Sequence, residues 1–320
     1  MPFSLRIDPW SPAYESAYQI EEDEEDCAPV EVDTFVETDD WSPVVPQARA
    51  LPDTVAFVDG VQRVETRLIA ESDGRTVYGA LASLAVGAAF CRPGVSLVEP
   101  QTPDRILALS DGQTHEPLEL SCGRIALRFR LQSKNVSGLK GVHEAITDAR
   151  RDLERRLAER LLDQQYPLVI VDGRLTVTPQ PPAMAVGLVK TIHRQYLEGA
   201  QRTLLARLPA RTRTPVFHIP RERAVYSWYV RVDEPRPAEH PWSGLVRLET
   251  LDVIGLQPAI QLADLTAQHL SDFASARYRD PRAPQNLYPI AELERRLRRQ
   301  LGDHQLIRRR ILAHFHEEAA

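Results

Sequence analysis

The clearest pattern along the chain lies over residues 142–162. Apolar side chains fall at Val142, Ile146, Ala149, Leu153, Leu157 and Leu161, at spacings of 4, 3, 4, 4 and 4. That is one face of a helix. Before it the period changes. "TVAFVDG" (54–60) reads as a strand, and "VQRVETRLIAE" (61–71) alternates at Val64, Thr66, Leu68 and Ala70. After a "SDGR" turn, "TVYGALASLAVGAAFC" reads as a long third strand, so these three predict an antiparallel meander. Residues 92–121 are polar and carry prolines, which predicts a connection, and "GRIALRFRLQ" predicts a further strand. Beyond the helix, "YPLVIVDG", "AMAVGLVK", "AVYSWYVRV" and "GLVRLETL" predict strands. "IHRQYLEGAQRTLLARL", "IAELERRLRRQLG" and "HQLIRRRILAHFHEE" predict helices. A hairpin unit followed by helix–strand alternation implies an α/β protein, a mixed sheet flanked by helices.

Residues 1–50 depart from this pattern. They hold 2 Arg against 13 Asp or Glu, with "EEDEED" at 21–26 and Trp-Ser-Pro at both 10–12 and 41–43. Such composition predicts an acidic, poorly folded extension ahead of a folded domain over 51–320. It could be a solvated tail, a docking arm for a partner, or a competitor of DNA for a basic groove; the two Trp-Ser-Pro anchors favour docking over mimicry. Without the extension the net charge of −6 becomes +5, a balance compatible with a polyanionic partner. No run of 18 apolar residues exists, so no membrane span is expected. The opening "MPFSLRIDPWSP" lacks a basic start and an apolar core, so no signal peptide is expected. Cys27, Cys91 and Cys122 show no metal spacing and read as free thiols of a cytoplasmic protein. The chain has no GxxxxGK[ST] loop, so it is not itself an ATP motor.

Two apolar runs end in the same way. "AFVDG" places Asp59, and "VIVDG" places Asp172, at what read as strand ends. Taken singly, each Val-Asp-Gly suits a hairpin turn, because Asp and Gly tolerate positive φ. Taken with the element order, a second reading gains weight. In a ribonuclease-H-like sheet the first strand and the strand after the long helix lie side by side, with both carboxylates at one edge. Two close carboxylates repel unless a cation separates them. All-oxygen ligands suit Mg²⁺ or Mn²⁺, and such ions support phosphodiester hydrolysis. Glu154, beside the apolar stripe of the helix, is the candidate third ligand, with Glu144 and Asp152 as rivals; an ion pair with Arg150 or Arg151 is its alternative.

The stretches "AFVDGVQRVETRLIA" (56–70), "YPLVIVDGRL" (166–175), "AVGLVKT" (185–191) and "PQNLYPIAELERRL" (284–297) stand in the order found in the NurA nucleases, which the sequence resembles over most of residues 51–300. The resemblance implies a ribonuclease-H-like fold and Mn²⁺-dependent DNA cleavage, with single-strand endonuclease and 5′-to-3′ exonuclease activity in the resection of double-strand breaks. It also implies a homodimer that docks on a HerA-type hexameric ATPase. Asp59 and Asp172 match the two strand aspartates, and Glu154 stands near the helical glutamate. A histidine after Tyr-Pro is replaced here by Glu294, which can also ligate a hard metal. Glu292 is its rival, and pairing with Arg298 its alternative. Lys190 matches a lysine that would contact phosphate, or it is a solvated strand-end lysine. Tyr288 could stack on a base or sit in the core. The Arg-rich C-terminal helices could line a DNA path or simply be solvated. Two other classes remain open: a non-catalytic NurA-like adaptor, and a ribonuclease-H-like nuclease acting on RNA.

Overall fold

Two strands of 18 residues each, β2 (Val55–Ser72) and β3 (Arg75–Arg92), form the spine of the molecule. The computed structural model describes residues 5–7, 31–72, 74–122, 125–179, 184–190, 196–278 and 283–318. At about 3.4 Å per residue the two strands run for roughly 60 Å. Each therefore serves different neighbours at its two ends. The start of β2, Val55 to Val58, pairs in parallel with β8 (Leu168–Asp172), and its last third pairs with β1 (Leu5–Ile7). The last third of β3 pairs with β4 (Val95–Pro100), and its middle third with β5 (Asp104–Leu109).

The helix α1 (Gly138–Asp163) links the hairpin half to β8, and β9 (Met184–Val189) lies parallel to β8 on its far side. The local order β4-β3-β2-β8-β9, antiparallel and then parallel, is that of a ribonuclease-H-like sheet. Strands β6 (Leu118–Cys122) and β7 (Ile125–Ser133) extend it beyond β5. Strands β10 (Phe217–Ile219), β11 (Val225–Arg231) and β12 (Leu245–Leu251) extend it beyond β9. Helix α1 covers one face, packing Val142, Ile146 and Ala149 on Ala80, Leu84 and Ile106. The other face is covered by α3 (Leu256–His269) and α4 (Tyr288–Gln300), which set Leu262, Ile290, Leu293 and Leu297 against Phe57, Ala89 and Ile170. The last helix, α5 (His304–Glu318), closes the far end over Leu107 and Phe129.

Three expectations are corrected, and one helix was not expected. The meander is not three strands broken at Asp59-Gly60. Asp59 and Gly60 pair with Gly87 and Val86 inside the β2–β3 ladder, so the first two expected strands are one. Residues 92–121 are not a bare connection, for they contain β4, β5 and most of β6; β4 is a sheet edge with Val95 and Leu97 exposed, which explains its weak apolar signal. The helix expected over "IHRQYLEGAQRTLLARL" is only α2 (Gly199–Arg207), because Gly199 takes φ +52 and Tyr196 is buried under the Arg247 guanidinium. Residues 191–195 of that stretch lie outside the described residues. Helix α3 is the helix that no sequence pattern predicts. Its apolar residues Ala259, Leu262, Ala263, Leu265 and Ala267 are all buried, so no clean stripe marks it.

The acidic segment divides. Residues 8–30, including "EEDEED" and the first Trp-Ser-Pro, lie outside the described residues. Residues 31–50 run along the body. Asp33 bridges to His218 of β10, Val44 bridges to Arg213, and the Trp41 indole N–H donates to the Thr34 carbonyl at 2.7 Å. Glu37 binds Arg213 through both carboxylate oxygens at 2.8 Å, and Arg213 also donates to Asp264 at 2.8 Å. Cys91 is a free, buried thiol; Cys27 and the Cys122 side chain fall outside the described residues. Among the described residues no helix is long and apolar enough to cross a membrane.

Candidate metal centre

The parallel register of β2 and β8 creates the site. Val58 stands opposite Val171, so Asp59 and Asp172 come next on adjacent strands. Side chains alternate along β2, with Phe57 and Val61 packed among the residues that meet α4. Asp59 falls on that same face, where α4 presents Glu294. Carboxylate oxygens of Asp59, Asp172 and Glu294 lie within 4.8 Å of one another. Gly87, opposite Asp59 on β3, lets α4 approach this closely. A Cβ there would stand 3.0 Å from Leu293 Cδ1 and 2.9 Å from the Glu99 carbonyl oxygen.

Asp59 is 4 % exposed. Its Oδ1 accepts the Gly60 N–H at 2.7 Å, and its buried Oδ2 has no hydrogen-bond partner. A buried anionic oxygen without a donor is costly unless a cation meets it. Burial raises the Asp59 pKa well above the ordinary carboxylate value, and the charges of Asp172, Glu154 and Glu294 add to this while Lys190 opposes it. The three carboxylates thus fit a hard divalent cation, and among the described residues no nitrogen or sulfur donor joins their group.

Glu154 reaches the site from the opposite face. It is buried on α1, its Oε1 accepts from Arg150 at 2.5 Å, and Arg150 also donates to Gln62 at 3.2 Å. Burial raises the Glu154 pKa, Arg150 works against the rise, and Asp172 adds to it. Glu154 therefore stands outside the three-carboxylate group and is held in an ion pair. Both it and Asp59 line a cleft of about 430 Å³ together with Arg150, Asp172, Arg174 and Lys190.

Lys190 follows β9 directly. Its ammonium lies 2.6 Å from Asp172 Oδ2 and donates to Asn286 Oδ1 at 2.9 Å. It is a paired, largely covered lysine rather than a solvated one. Asn286 is fully buried ahead of α4 and was not singled out by the sequence, since a neutral amide in a proline-bearing loop carries no signal. Glu249 is a second such residue. Fully buried, it joins Arg247 and Arg221 at 2.6 Å each and accepts the Leu175 N–H at 3.0 Å, fixing the segment that leaves Asp172. Tyr288 is 42 % exposed, with its ring 6.0 Å from that of Phe273. The rivals are engaged elsewhere: Asp152 pairs with Arg155 and Arg156, and Glu292 with Arg295 and Arg296. Glu144 is outside the group of three. The expected Glu294–Arg298 pair exists at 3.8 Å, with the arginine largely exposed.

No family model matches the chain, and no curated protein does. Among solved structures, the crystal structure of the NurA nuclease from Sulfolobus solfataricus is similar to it, with a TM-score of 0.43 and 10 % identity over 79 % of this chain and 80 % of that one.

Proposed function

We propose that this chain is a divalent-metal-dependent nuclease that hydrolyses DNA phosphodiesters. The reading rests on one observation: Asp59, Asp172 and Glu294 converge to within 4.8 Å around a buried Asp59 oxygen that lacks a partner. Those three carboxylates would hold the ion, Mn²⁺ or Mg²⁺. When bound, such an ion activates water and stabilises charge on the phosphoryl group. Arg150, Arg174 and Lys190 give the cleft its cationic wall, suited to phosphate oxygens. Glu154, with its pKa raised, is the carboxylate placed to take up the proton of the attacking water. The four sequence stretches that resemble NurA nucleases support the finer reading. In it the chain cuts single-stranded DNA internally and from 5′ ends, as a homodimer on a HerA-type ATPase in break resection.

The test is cleavage of end-labelled single-stranded DNA with Mn²⁺, run beside an Asp59→Ala/Asp172→Ala variant shown by circular dichroism to be folded. Cleavage by the wild type alone supports the assignment. Equal cleavage by both removes it. RNA and double-stranded DNA in parallel lanes separate the ribonuclease alternative. A second reading, a non-catalytic adaptor, is favoured by the two internal ion pairs, Lys190–Asp172 and Arg150–Glu154, which already neutralise two of the carboxylates. An adaptor of that kind would bind no Mn²⁺.

A further inference from the structure

Lys190 has an unusual position for a residue expected to meet substrate. Its ammonium is already engaged by Asp172 Oδ2 at 2.6 Å and by Asn286 Oδ1 at 2.9 Å. Both partners are fixed. Asp172 ends a strand in register with Asp59, and Asn286 is fully buried, with its main-chain carbonyl accepting the Ser275 N–H at 3.2 Å. The lysine and aspartate side chains are each only 16 % exposed, so water screens their attraction weakly. The ammonium is a compact, mobile charge on four rotatable bonds. It can leave its position without moving the backbone.

We propose that Lys190 is a built-in counter-ion of the carboxylate site: it competes with a divalent cation for Asp172, and it becomes available to a phosphate when that cation takes its place. The proposal rests on the metal-binding reading above and adds an order of events to it. One carboxylate cannot satisfy two cations as well as it satisfies one, so divalent-ion binding and the Lys190–Asp172 pair are negatively coupled. By linkage the coupling is reciprocal. An ion at Asp172 weakens the hold on Lys190 and turns its ammonium toward the cleft that Arg150 and Arg174 also line. Metal would therefore precede phosphate, and the metal-free protein would bind a phosphodiester poorly at this position. Asn286 keeps the lysine parked, since a neutral acceptor adds a second hydrogen bond to the ammonium without adding charge.

The experiment is titration of the full chain with Mn²⁺, followed by the electron paramagnetic resonance signal of free ion, for wild type, Lys190→Gln, Asn286→Ala and Asp59→Asn. Removing the competing ammonium should tighten Mn²⁺ binding by about fivefold or more in Lys190→Gln, and by less in Asn286→Ala. Asp59→Asn should weaken it. Unchanged or weaker binding in Lys190→Gln, with Asp59→Asn still weakening it, would overturn the counter-ion role and leave the metal site standing. If no variant binds Mn²⁺, the metal site and this proposal both fall. A second measurement works on the unmutated protein. Acetylation of Lys190 by an amine-reactive reagent, read by mass spectrometry, should be slow without metal and several-fold faster with saturating Mn²⁺; a rate unaltered by a metal that does bind would overturn the proposal.

Discussion

The Glu154 carboxylate lies 2.5 Å from the point where a Cβ on Gly60 would stand. The two residues come from neighbouring layers, α1 and β2, and one makes room for the other. A Cβ at residue 60 would also meet Val86 Cγ1 at 2.9 Å and Arg150 Cγ at 3.1 Å. The glycine of the first Val-Asp-Gly is thus there for close approach and not for a turn. It lets a helix carboxylate reach the strand that carries Asp59.

Gly60→Ala should therefore destabilise the protein by roughly 1–3 kcal/mol, the usual cost of overpacking a filled interior. The flexible end of Glu154 can move aside, but the Val86 methyl is held by the sheet. Gly60→Ala/Glu154→Ala should regain part of the loss. Urea unfolding of the two single variants and the double variant measures this as a coupling. Additive losses would mean that Glu154 does not occupy the space above Gly60.

Glu294 and Glu154 should separate into two roles. Glu294 belongs to the group of three carboxylates, and Glu154 is spoken for by Arg150. Glu294→Gln should weaken Mn²⁺ binding by roughly tenfold or more, as loss of a group that supports a metal does. Glu154→Gln should leave Mn²⁺ binding nearly intact while lowering the rate of DNA cleavage. Calorimetric titration beside single-turnover cleavage distinguishes them, and equal loss of metal in both would make Glu154 a ligand.

The site was largely legible and its surroundings were not. Asp172 could be found because a strand end followed by glycine is a local signal, and Gly173 does take φ +98. Asp59 was found through the same tripeptide although its local reading was mistaken, since Asp-Gly looks alike in a turn and in a ladder. Glu294 followed only from the resemblance, as the residue standing where the family carries a histidine after Tyr-Pro. Gly87 and Asn286 had no such mark. Their roles depend on α4 meeting β3 and on the residues ahead of α4 meeting the end of β9, contacts between segments roughly a hundred to two hundred residues apart. Glu37 was hidden in a segment whose charge argued against folding. One arginine from β10's approach, Arg213, outweighs that composition by offering a buried partner.

That pair carries a prediction about the extension. Arg213 is 2 % exposed and is bracketed by Glu37 and Asp264. Glu37→Ala leaves the guanidinium buried with one carboxylate and strips the acceptor from the Val216 N–H. Breaking a buried pair from one side costs about 3–5 kcal/mol. A chain lacking residues 1–50 should lose more than one lacking residues 1–30, which gives up the short β1 pairing but keeps the Glu37–Arg213 pair. Chemical denaturation of the three compares them directly. Full stability without residues 31–50 would mean that the strap adds nothing to the fold.

The last prediction concerns pH, and its sign follows from Asp59. In the metal-free protein burial and the neighbouring carboxylates raise its pKa well above 3.8. Glu154 is raised above 4.5 in the same sense. Between the ordinary carboxylate values and these raised ones, the folded state holds protons that the unfolded state has lost. Stability must then fall as pH rises through that window and level off above it. This is opposite to the behaviour of a carboxylate held in a favourable ion pair. Asp59→Asn removes the charge at its source, so the metal-free variant should melt higher near neutral pH, by roughly 2–4 °C, and with a flatter pH dependence. Saturating Mn²⁺ should reverse the order, because only the wild type can exchange the cost of its buried charge for a bound ion. Melting curves from pH 4 to 8, with Mn²⁺ and with chelator, test both halves. A variant no more stable than wild type in chelator would show that Asp59 carries no strain of charge in the empty site.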